Sequence, residues 1–191
     1  LTIDGIEISV PKGSTILEAA QSAGIRIPTL CWLKKLSPIG SCRMCVVEVD
    51  GIRKPVTACD TPAGEGLNVT TESDELREMR RDILKLLLIR HPLDCPVCDK
   101  GGECDLQDFA FIEGQDESRT REPRAQRAKR RSLGDVIVLD EERCILCSRC
   151  VRFFEEVTGK AQLTVAGLGS RSFIDTFAGR PLEGNYQGNV A

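Results

Sequence analysis

The sequence lacks the features that mark membrane-spanning, nucleotide-binding and hydrolytic proteins. No apolar run in its 191 residues approaches the length of a membrane span, and Leu1–Val10 alternates like a strand instead of showing the basic and apolar blocks of a signal peptide. It contains no G-x-G-x-x-G motif, no P-loop and no nucleophile beside a plausible base. We therefore expect a soluble chain that binds no nucleotide and performs no chemistry on a substrate of its own.

Net charge is also small, whereas cysteine is abundant. The net charge of -3 gives no argument for nucleic acid or an anionic membrane as a partner. The chain has ten cysteines and a single histidine. Because a reducing cytosol keeps thiols unpaired, ten cysteines without a secretory signal indicate metal binding rather than disulfides.

The apolar periodicity predicts short strands followed by helices. A hairpin is expected to turn at Asp4-Gly5, because Ile6, Ile8 and Val10 alternate after it. A helix is expected over Ser14–Ala23, with Thr15 and Glu18 as its capping box and Gly24 as its stop. The remaining expected elements are strands over Cys45–Val49, Leu67–Val69 and Val136–Leu139 and helices over Ser73–Arg90 and Glu103–Ile112. Between the last two helices, the prolines and glycines of Asp94–Gly102 predict a cysteine-rich loop.

A first set of four cysteines, spaced C-x10-C-x2-C-x13-C, predicts a 2Fe-2S site: Cys31, Cys42, Cys45 and Cys59. Iron in such clusters takes its outer ligands from thiolates that converge from a loop. Gly40 and Ser41 are small enough for backbone amides to approach the bridging sulfides. The pattern follows plant-type ferredoxins, although the first gap is ten residues instead of four. Zinc is the alternative, but zinc sites usually pair two C-x2-C knuckles and this set has one.

A second set, spaced H-x3-C-x2-C-x5-C, predicts a 4Fe-4S site: His91, Cys95, Cys98 and Cys104. A lone histidine is normally a poor ligand candidate. His91, however, stands four residues before a C-x2-C pair at a helix end, where an imidazole nitrogen can reach the same cluster. Neutral imidazole in place of a thiolate makes the site less negative and should raise its reduction potential. Zinc remains an alternative on spacing alone.

A third set, spaced C-x2-C-x2-C, predicts a second 4Fe-4S site: Cys144, Cys147 and Cys150. This is the leading part of the bacterial ferredoxin run, in which Phe154 occupies the position of the next cysteine. Every other cysteine already belongs to a set. The site is therefore a three-iron or partial cluster, or its fourth ligand lies beyond Ala191, and we favour the second interpretation.

These patterns predict an α+β chain of four segments. They are an N-terminal β-grasp 2Fe-2S ferredoxin-like domain over residues 1–74, a small helical His/Cys 4Fe-4S module over 75–115, a basic connector over 116–133 and a truncated 4Fe-4S ferredoxin-like domain over 134–191.

The connector region is rich in basic residues: Arg119, Arg121, Arg124, Arg127, Lys129, Arg130 and Arg131. We interpret this run as a solvated loop, with a docking surface for an acidic partner as the alternative. Nucleic acid binding is disfavoured because no aromatic residues interleave the run to stack on bases.

Three segments resemble the large iron-sulfur subunit of NADH:quinone oxidoreductase (respiratory complex I): Leu36–Cys45, His91–Asp108 and Arg143–Arg152. The resemblance covers almost the whole chain, and the second segment is long and very specific. That family shares the ten-residue first gap. In it, the Gly-Asn-Val stretch, here Gly188–Val190, precedes a Cys-Pro whose cysteine completes the third site. The resemblance thus implies that this chain stops before that ligand and before the family's C-terminal part.

The resemblance implies a relay of electrons from NADH, through the flavin of a partner subunit and across one 2Fe-2S and two 4Fe-4S clusters, toward quinone. It implies partners among the flavin-bearing and other iron-sulfur subunits of a proton-translocating complex. The chain would be a peripheral subunit on the cytoplasmic side of the inner membrane. Beside the clusters, Arg43, Arg143 and Arg149 would either raise local potentials or serve only as surface charges.

Two other interpretations remain open. The first is the diaphorase-type iron-sulfur subunit of an NAD-linked hydrogenase or formate dehydrogenase, although Phe154 weighs against an iron-only hydrogenase. The second is a zinc-stapled interaction or nucleic-acid module, which predicts a colourless protein without redox activity.

Overall fold

The computed structural model describes residues 1–114 and 127–184. Their helices and strands are β1 (Thr2–Ile3), β2 (Ile6–Glu7), α1 (Ile16–Ser22), β3 (Val46–Val49), β4 (Val56–Thr57), β5 (Asn68–Thr70), α2 (Asp74–Leu88), α3 (Asp105–Ile112), β6 (Arg131–Ser132), β7 (Val138–Leu139), α4 (Arg149–Arg152), β8 (Leu163–Ala166) and β9 (Phe173–Thr176). A π-helical turn over Phe153–Val157 continues α4. No helix of these two ranges is long and apolar enough to cross a membrane.

The N-terminal unit is a mixed sheet with strand order β2-β1-β5-β3-β4. The β1–β5 pair is parallel, and the other pairs are antiparallel. The predicted hairpin turn is confirmed, since Asp4 and Gly5 have the positive φ angles, 49° and 81°, that a tight primed turn requires. The Asp4 carboxylate also accepts hydrogen bonds from the Thr71 N–H and hydroxyl at 2.8 and 2.6 Å, which ties the hairpin to the chain after β5.

Helix α1 packs against this sheet and begins with the predicted capping box. The Thr15 hydroxyl accepts from the Glu18 N–H at 3.2 Å, and the Glu18 carboxylate accepts from the Thr15 N–H at 2.8 Å. The N–H of Leu17 donates to the Ala58 carbonyl at 2.9 Å, which holds the chain before Cys59 against the helix. The buried core of this unit includes Ile3, Ile16, Leu17, Ala19, Ala20, Val47 and Val69.

Helices α2 and α3 form the second unit. The Ser73 hydroxyl caps α2 by accepting from the Leu76 N–H at 3.1 Å, and it donates to the Glu48 carboxylate at 2.7 Å. Helix α2 ends two residues before the predicted Arg90. The core between the two helices contains Leu84 of α2 with Leu106 and Phe109 of α3, and it also takes Leu30 and Met44 from the N-terminal unit. The first two units therefore share one core.

The third unit contains two short antiparallel pairs, β6–β7 and β8–β9, around α4. The predicted strand over Val136–Leu139 is confirmed only for its second half. Its partner β6 lies in the segment that the sequence assigned to a connector. A core of Leu133, Val151, Phe154, Leu163 and Ile174 closes this unit.

The end of the basic run is not a free, solvated stretch. Lys129 lies 2.9 Å from the Glu142 carboxylate, and Arg131 lies 2.7 Å from the Glu141 carboxylate. Arg127 donates to the Ser172 carbonyl at 2.6 Å. These three side chains therefore contact other parts of the chain, and the interpretation of the run as a connector or as a docking surface stays a prediction. Three other members of the run, Arg119, Arg121 and Arg124, lie outside the described residues.

Candidate iron-sulfur centres

The first cysteine set lies where the sheet meets the long loop after α1. Cys31, Cys45 and Cys59 are each 1% exposed, whereas Cys42 is partly exposed. Cys45 directly precedes β3, and the Ala58 N–H donates to its carbonyl at 2.9 Å. The β3–β4 pair therefore places Cys45 beside Cys59.

The four thiols of this set interact as two pairs. A hydrogen bond from the Cys31 thiol lowers the pKa of Cys42 to about 5, and one from Cys45 lowers the pKa of Cys59. The pKa values of the donors, Cys31 and Cys45, are raised because each donates to a neighbouring sulfur and is desolvated. Thiolate is the form that binds metal, so the fold already favours it at two of the four positions.

The loop before Cys42 requires glycine. Gly40 has a φ of 55°, and a Cβ at this position would collide with the carboxylate of Asp60, the residue after Cys59. Arg43 is also left-handed, with a φ of 62°. This tight path agrees with the expectation that small residues bring the backbone close to the first site.

The second set surrounds one cavity. All four predicted residues line it: His91, Cys95, Cys98 and Cys104. The cavity has a volume of about 80 Å³, and much of the remaining lining is apolar. His91 follows α2, where its N–H donates to the Leu87 carbonyl at 3.2 Å, and Cys104 is the residue before α3. The histidine and the last cysteine thus stand at the two ends of the loop that holds Cys95 and Cys98, and all four line the same cavity.

The loop around this cavity is also closely packed. The Gly101 N–H donates to the Cys98 carbonyl at 2.9 Å. A Cβ at Gly101 would lie 2.5 Å from the Cys95 carbonyl oxygen. Any side chain at this position would therefore push the two cysteines of the C-x2-C pair out of place.

The third set lies on the loop that enters α4. Cys144 and Cys147 precede the helix, and Cys150 is in it. Two residues between them, Leu146 and Ser148, have φ angles of 56° and 58°, so the chain coils tightly through the set. Burial raises the pKa of Cys144, and it raises the pKa of Cys150 to about 11, with the Cys147 thiol adding to both effects.

Phe154 has a structural role at the position of the missing cysteine. It is fully buried in the third core, with its ring centroid 5.7 Å from that of Phe153 in an edge-to-face arrangement. In two-cluster ferredoxins, the cysteine at this position ligates the other cluster. Here the same position fills the core of the third unit.

In each set, at least one backbone N–H donates to a cysteine sulfur at 3.4 Å. The pairs are Cys31 N–H to Cys42 Sγ, Lys100 N–H to Cys98 Sγ and Leu146 N–H to Cys144 Sγ. Such hydrogen bonds stabilise thiolate and are one means by which a protein sets the potential of an iron-sulfur cluster. Within the described ranges, no three His, Cys, Asp or Glu side chains converge closely enough to hold a single metal ion.

The three sets adjoin the same part of the molecule. The core between α2 and α3 packs against Cys42 of the first set, Cys104 of the second and Ile145 of the third. Arg143 joins the third set to the second, since its guanidinium lies 2.9 Å from the Asp94 carboxylate and donates to the Val97 carbonyl at 3.3 Å.

Sequence reasoning missed two buried arginines beside the sets. Arg80 is 1% exposed and donates to the carbonyls of Val46 at 3.1 Å and Thr71 at 2.7 Å. Val46 is the residue directly after Cys45 of the first set. Arg152, 5% exposed, contacts the backbone of Cys31 and Cys147. Neither stands in a spacing pattern of its own, although Arg152 ends the third segment of the resemblance. Among the arginines that were predicted, Arg43 is exposed, Arg149 is partly buried and Arg143 is held in ion pairs.

Three family descriptions match the chain in order. They are a 2Fe-2S iron-sulfur cluster binding domain over residues 1–74, an NADH-ubiquinone oxidoreductase-G iron-sulfur binding region over 80–119 and an NADH-quinone oxidoreductase subunit 3 ferredoxin-like domain over 134–191. The predicted α+β fold class, with a 2Fe-2S domain, an iron-sulfur binding region and a ferredoxin-like domain, is confirmed.

Individual relatives extend over nearly the whole chain. The NADPH-Fe(3+) oxidoreductase subunit alpha of Geobacter sulfurreducens is 48% identical over 99% of this chain and 22% of its own length. The mitochondrial NADH-ubiquinone oxidoreductase 78 kDa subunit of Neurospora crassa is 41% identical over 100% of this chain and 26% of its own length. The chain thus spans about a quarter of the length of these curated relatives.

A solved structure matches a larger share of its own chain. A chain in the crystal structure of an NAD+-reducing NiFe hydrogenase in the H2-reduced state superposes with a TM-score of 0.85 and 38% sequence identity, covering 94% of this chain and 76% of that one. Taken with the three ordered matches, this shows that the chain belongs to the iron-sulfur protein family that includes the N-terminal region of the large iron-sulfur subunit of NADH:quinone oxidoreductase.

Proposed function

We propose that this chain is the electron-relay part of an NADH:quinone oxidoreductase. It would pass electrons from NADH, received through the flavin of a partner subunit, across its iron-sulfur clusters toward quinone. The observation that carries the proposal is that three cysteine-rich sets, each with an N–H to sulfur hydrogen bond, adjoin the core between α2 and α3 through Cys42, Cys104 and Ile145.

The donor sets fit three clusters. We propose one 2Fe-2S cluster on Cys31, Cys42, Cys45 and Cys59, one 4Fe-4S cluster on His91, Cys95, Cys98 and Cys104, and a second 4Fe-4S cluster on Cys144, Cys147 and Cys150. Thiolate and imidazole are ligands that iron-sulfur clusters accept. All ten cysteines and the histidine are then used, so the fourth ligand of the last cluster is proposed to lie beyond Ala191.

The clusters, when bound, accept and release electrons, and the chain's own residues hold and insulate them. Three ligands of the first set are almost fully buried, which keeps water away and limits loss of electrons to solvent oxidants. Backbone N–H groups donate to the sulfurs of Cys42, Cys98 and Cys144, and such hydrogen bonds help to set the potential of a cluster when it is bound. We propose no catalytic residue and no substrate site in this chain.

The proposal extends to organisation and partners. The segments over residues 1–74, 75–115, 116–133 and 134–191 are proposed domains, and matches over 1–74, 80–119 and 134–191 support them. We propose flavin-bearing and other iron-sulfur subunits as partners, in a proton-translocating complex whose peripheral part lies on the cytoplasmic side of the inner membrane.

Metal analysis with electron paramagnetic resonance (EPR) tests the cluster assignment. Anaerobically purified protein should contain iron and acid-labile sulfide and, after dithionite reduction, show signals from one 2Fe-2S and at least one 4Fe-4S centre. Stoichiometric zinc without sulfide would make the cysteines structural ligands and would refute the relay function.

A second candidate is a relay with the same clusters in a different enzyme. The likeness to a chain of an NAD+-reducing hydrogenase favours the diaphorase-type interpretation. The similarity to an NADPH-Fe(3+) oxidoreductase subunit suggests a further alternative, in which NADPH is the electron donor and Fe(3+) is the acceptor. Purification of the native complex separates them. NADH:quinone activity supports the first proposal, whereas hydrogen-dependent NAD+ reduction or NADPH-dependent iron reduction supports one of the others.

A further inference from the structure

Arg152 is a buried cation that touches two of the three donor sets. Its Nη2 donates to the Cys31 carbonyl and, at 3.4 Å, to the Cys147 carbonyl, while its Nη1 donates to the Ser37 carbonyl at 2.5 Å. Cys31 belongs to the first set and Cys147 to the third. A single guanidinium therefore contacts the backbone of one proposed ligand in each.

Arg152 forms no ion pair with a carboxylate in the described part of the chain. Its hydrogen bonds go to neutral carbonyl oxygens, and its Nε is buried without a partner there. The nearby Glu156 carboxylate instead accepts from the Ser37 N–H at 2.7 Å. A buried, uncompensated cation is costly unless an opposite charge stands close by. Thiolate-ligated clusters are anionic, so the two sets beside Arg152 would supply that charge.

The planar fork of arginine suits this position. It can donate in two directions at once, which a lysine ammonium on a flexible stem does less well. Its bonds to Cys31, Ser37 and Cys147 hold the loop of the first set against the start of α4, which carries the third. The same group therefore fixes the separation of the two sets and places one positive charge between them.

We propose that Arg152 is a positioning residue that holds the first and third cluster sites together and raises the reduction potentials of both. The inference rests on the proposed function, because it requires clusters at these sites. A reduced cluster carries one more negative charge than an oxidised cluster, so a nearby fixed cation favours the reduced state. The His91 site, whose residues Arg152 does not contact among its described hydrogen bonds, should be unaffected.

An EPR-monitored redox titration of the full-length holoprotein tests this. Arg152→Gln keeps an amide donor but removes the charge. We expect it to disfavour reduction of the 2Fe-2S cluster and the third-set cluster by about tenfold each, which is a fall of 59 mV for one electron. Arg152→Lys should recover most of both potentials because it restores the charge. Arg180→Gln, at an exposed arginine of the same unit, is the matched control and should change neither.

Three results would overturn the inference. They are unchanged potentials in Arg152→Gln, an equal shift of the His91 site, and the same shift in Arg180→Gln. If Arg152→Gln loses its clusters, Arg152→Lys decides: a changed magnetic interaction between the two centres supports the positioning role, and a wild-type interaction refutes it. The test of the proposed function is separate: iron and sulfide absent from the unmodified protein would refute that function, whereas unchanged potentials in Arg152→Gln with the clusters present would refute only the role of Arg152.

Discussion

At the residue scale, His91 distinguishes the second site from the other two. Exchanging its neutral imidazole for a thiolate adds one negative charge, so His91→Cys should lower the reduction potential of one 4Fe-4S cluster. His91→Ala should disturb that 4Fe-4S signal and leave the 2Fe-2S signal intact. EPR-monitored titration measures both variants. Loss of both signals in a protein that circular dichroism shows to be folded would contradict the assignment of separate sites.

Gly101 offers a second test at the same scale, because a substitution there changes only the space beside the cysteine loop. A Cβ there would meet the Cys95 carbonyl oxygen at 2.5 Å, so Gly101→Ala should displace the C-x2-C pair and deplete the second cluster. Gly102 is the matched control, since it has a φ of 84° but no atom within 4 Å of the added Cβ. Gly102→Ala should cost about 1–2 kcal/mol of backbone strain and keep the cluster. Iron content and the EPR signal of the second site measure the difference; equal iron in the two variants would rule out the steric explanation.

At the element scale, Arg80 fastens α2 to the strand that follows Cys45. Arg80→Met would leave the Val46 and Thr71 carbonyls without their buried donor. We expect a loss of about 2–4 kcal/mol of stability, seen as a lower melting temperature by circular dichroism. Arg80 and Arg77 both pair with the Glu72 carboxylate, at 3.0 and 3.2 Å, but the Arg77 side chain is 59% exposed, so Arg77→Met should cost less than about 1 kcal/mol. Equal losses would show that Arg80 acts as an ordinary surface ion pair.

Local sequence patterns are enough to predict the elements whose stabilising contacts come from residues close in sequence. The capping box of Thr15 and Glu18 and the Asp4-Gly5 turn are satisfied within a few residues, so their types and approximate positions could be predicted. The ligand sets were likewise proposed from short spacings. The structure brings the second set around one cavity.

Elements held by distant partners could not be predicted in the same way. Strand β6 forms because Arg131 and Ser132 pair with β7, while Arg131 also reaches the Asp175 carboxylate, 44 residues away. In the sequence these residues look like part of a polar connector. Arg80 and Arg152 similarly become recognisable only when the carbonyl groups that they bind are brought together by folding.

At the scale of the whole molecule, one hydrophobic core is shared between units, whereas another is formed by a single unit. The core that contains Phe109 takes residues from the first two units and packs against Ile145 of the third. The Arg26 guanidinium of the first unit also lies 5.8 Å from the Phe109 ring centroid. Phe154, in contrast, lies in a core whose buried members all come from the third unit. Damage at the first position should therefore spread between cluster sites, and damage at the second should stay local.

The same substitution at both phenylalanines tests this difference. Each replacement by alanine removes a buried ring and should cost about 3–5 kcal/mol. Phe109→Ala should weaken the EPR signals of the 2Fe-2S and His91 sites together, because Cys42 and Cys104 both pack against its core. Phe154→Ala should affect the third site and spare the other two. If both variants lose the same signals in the same proportion, the three sites belong to one cooperative unit, and the shared core between α2 and α3 has no special role in joining them.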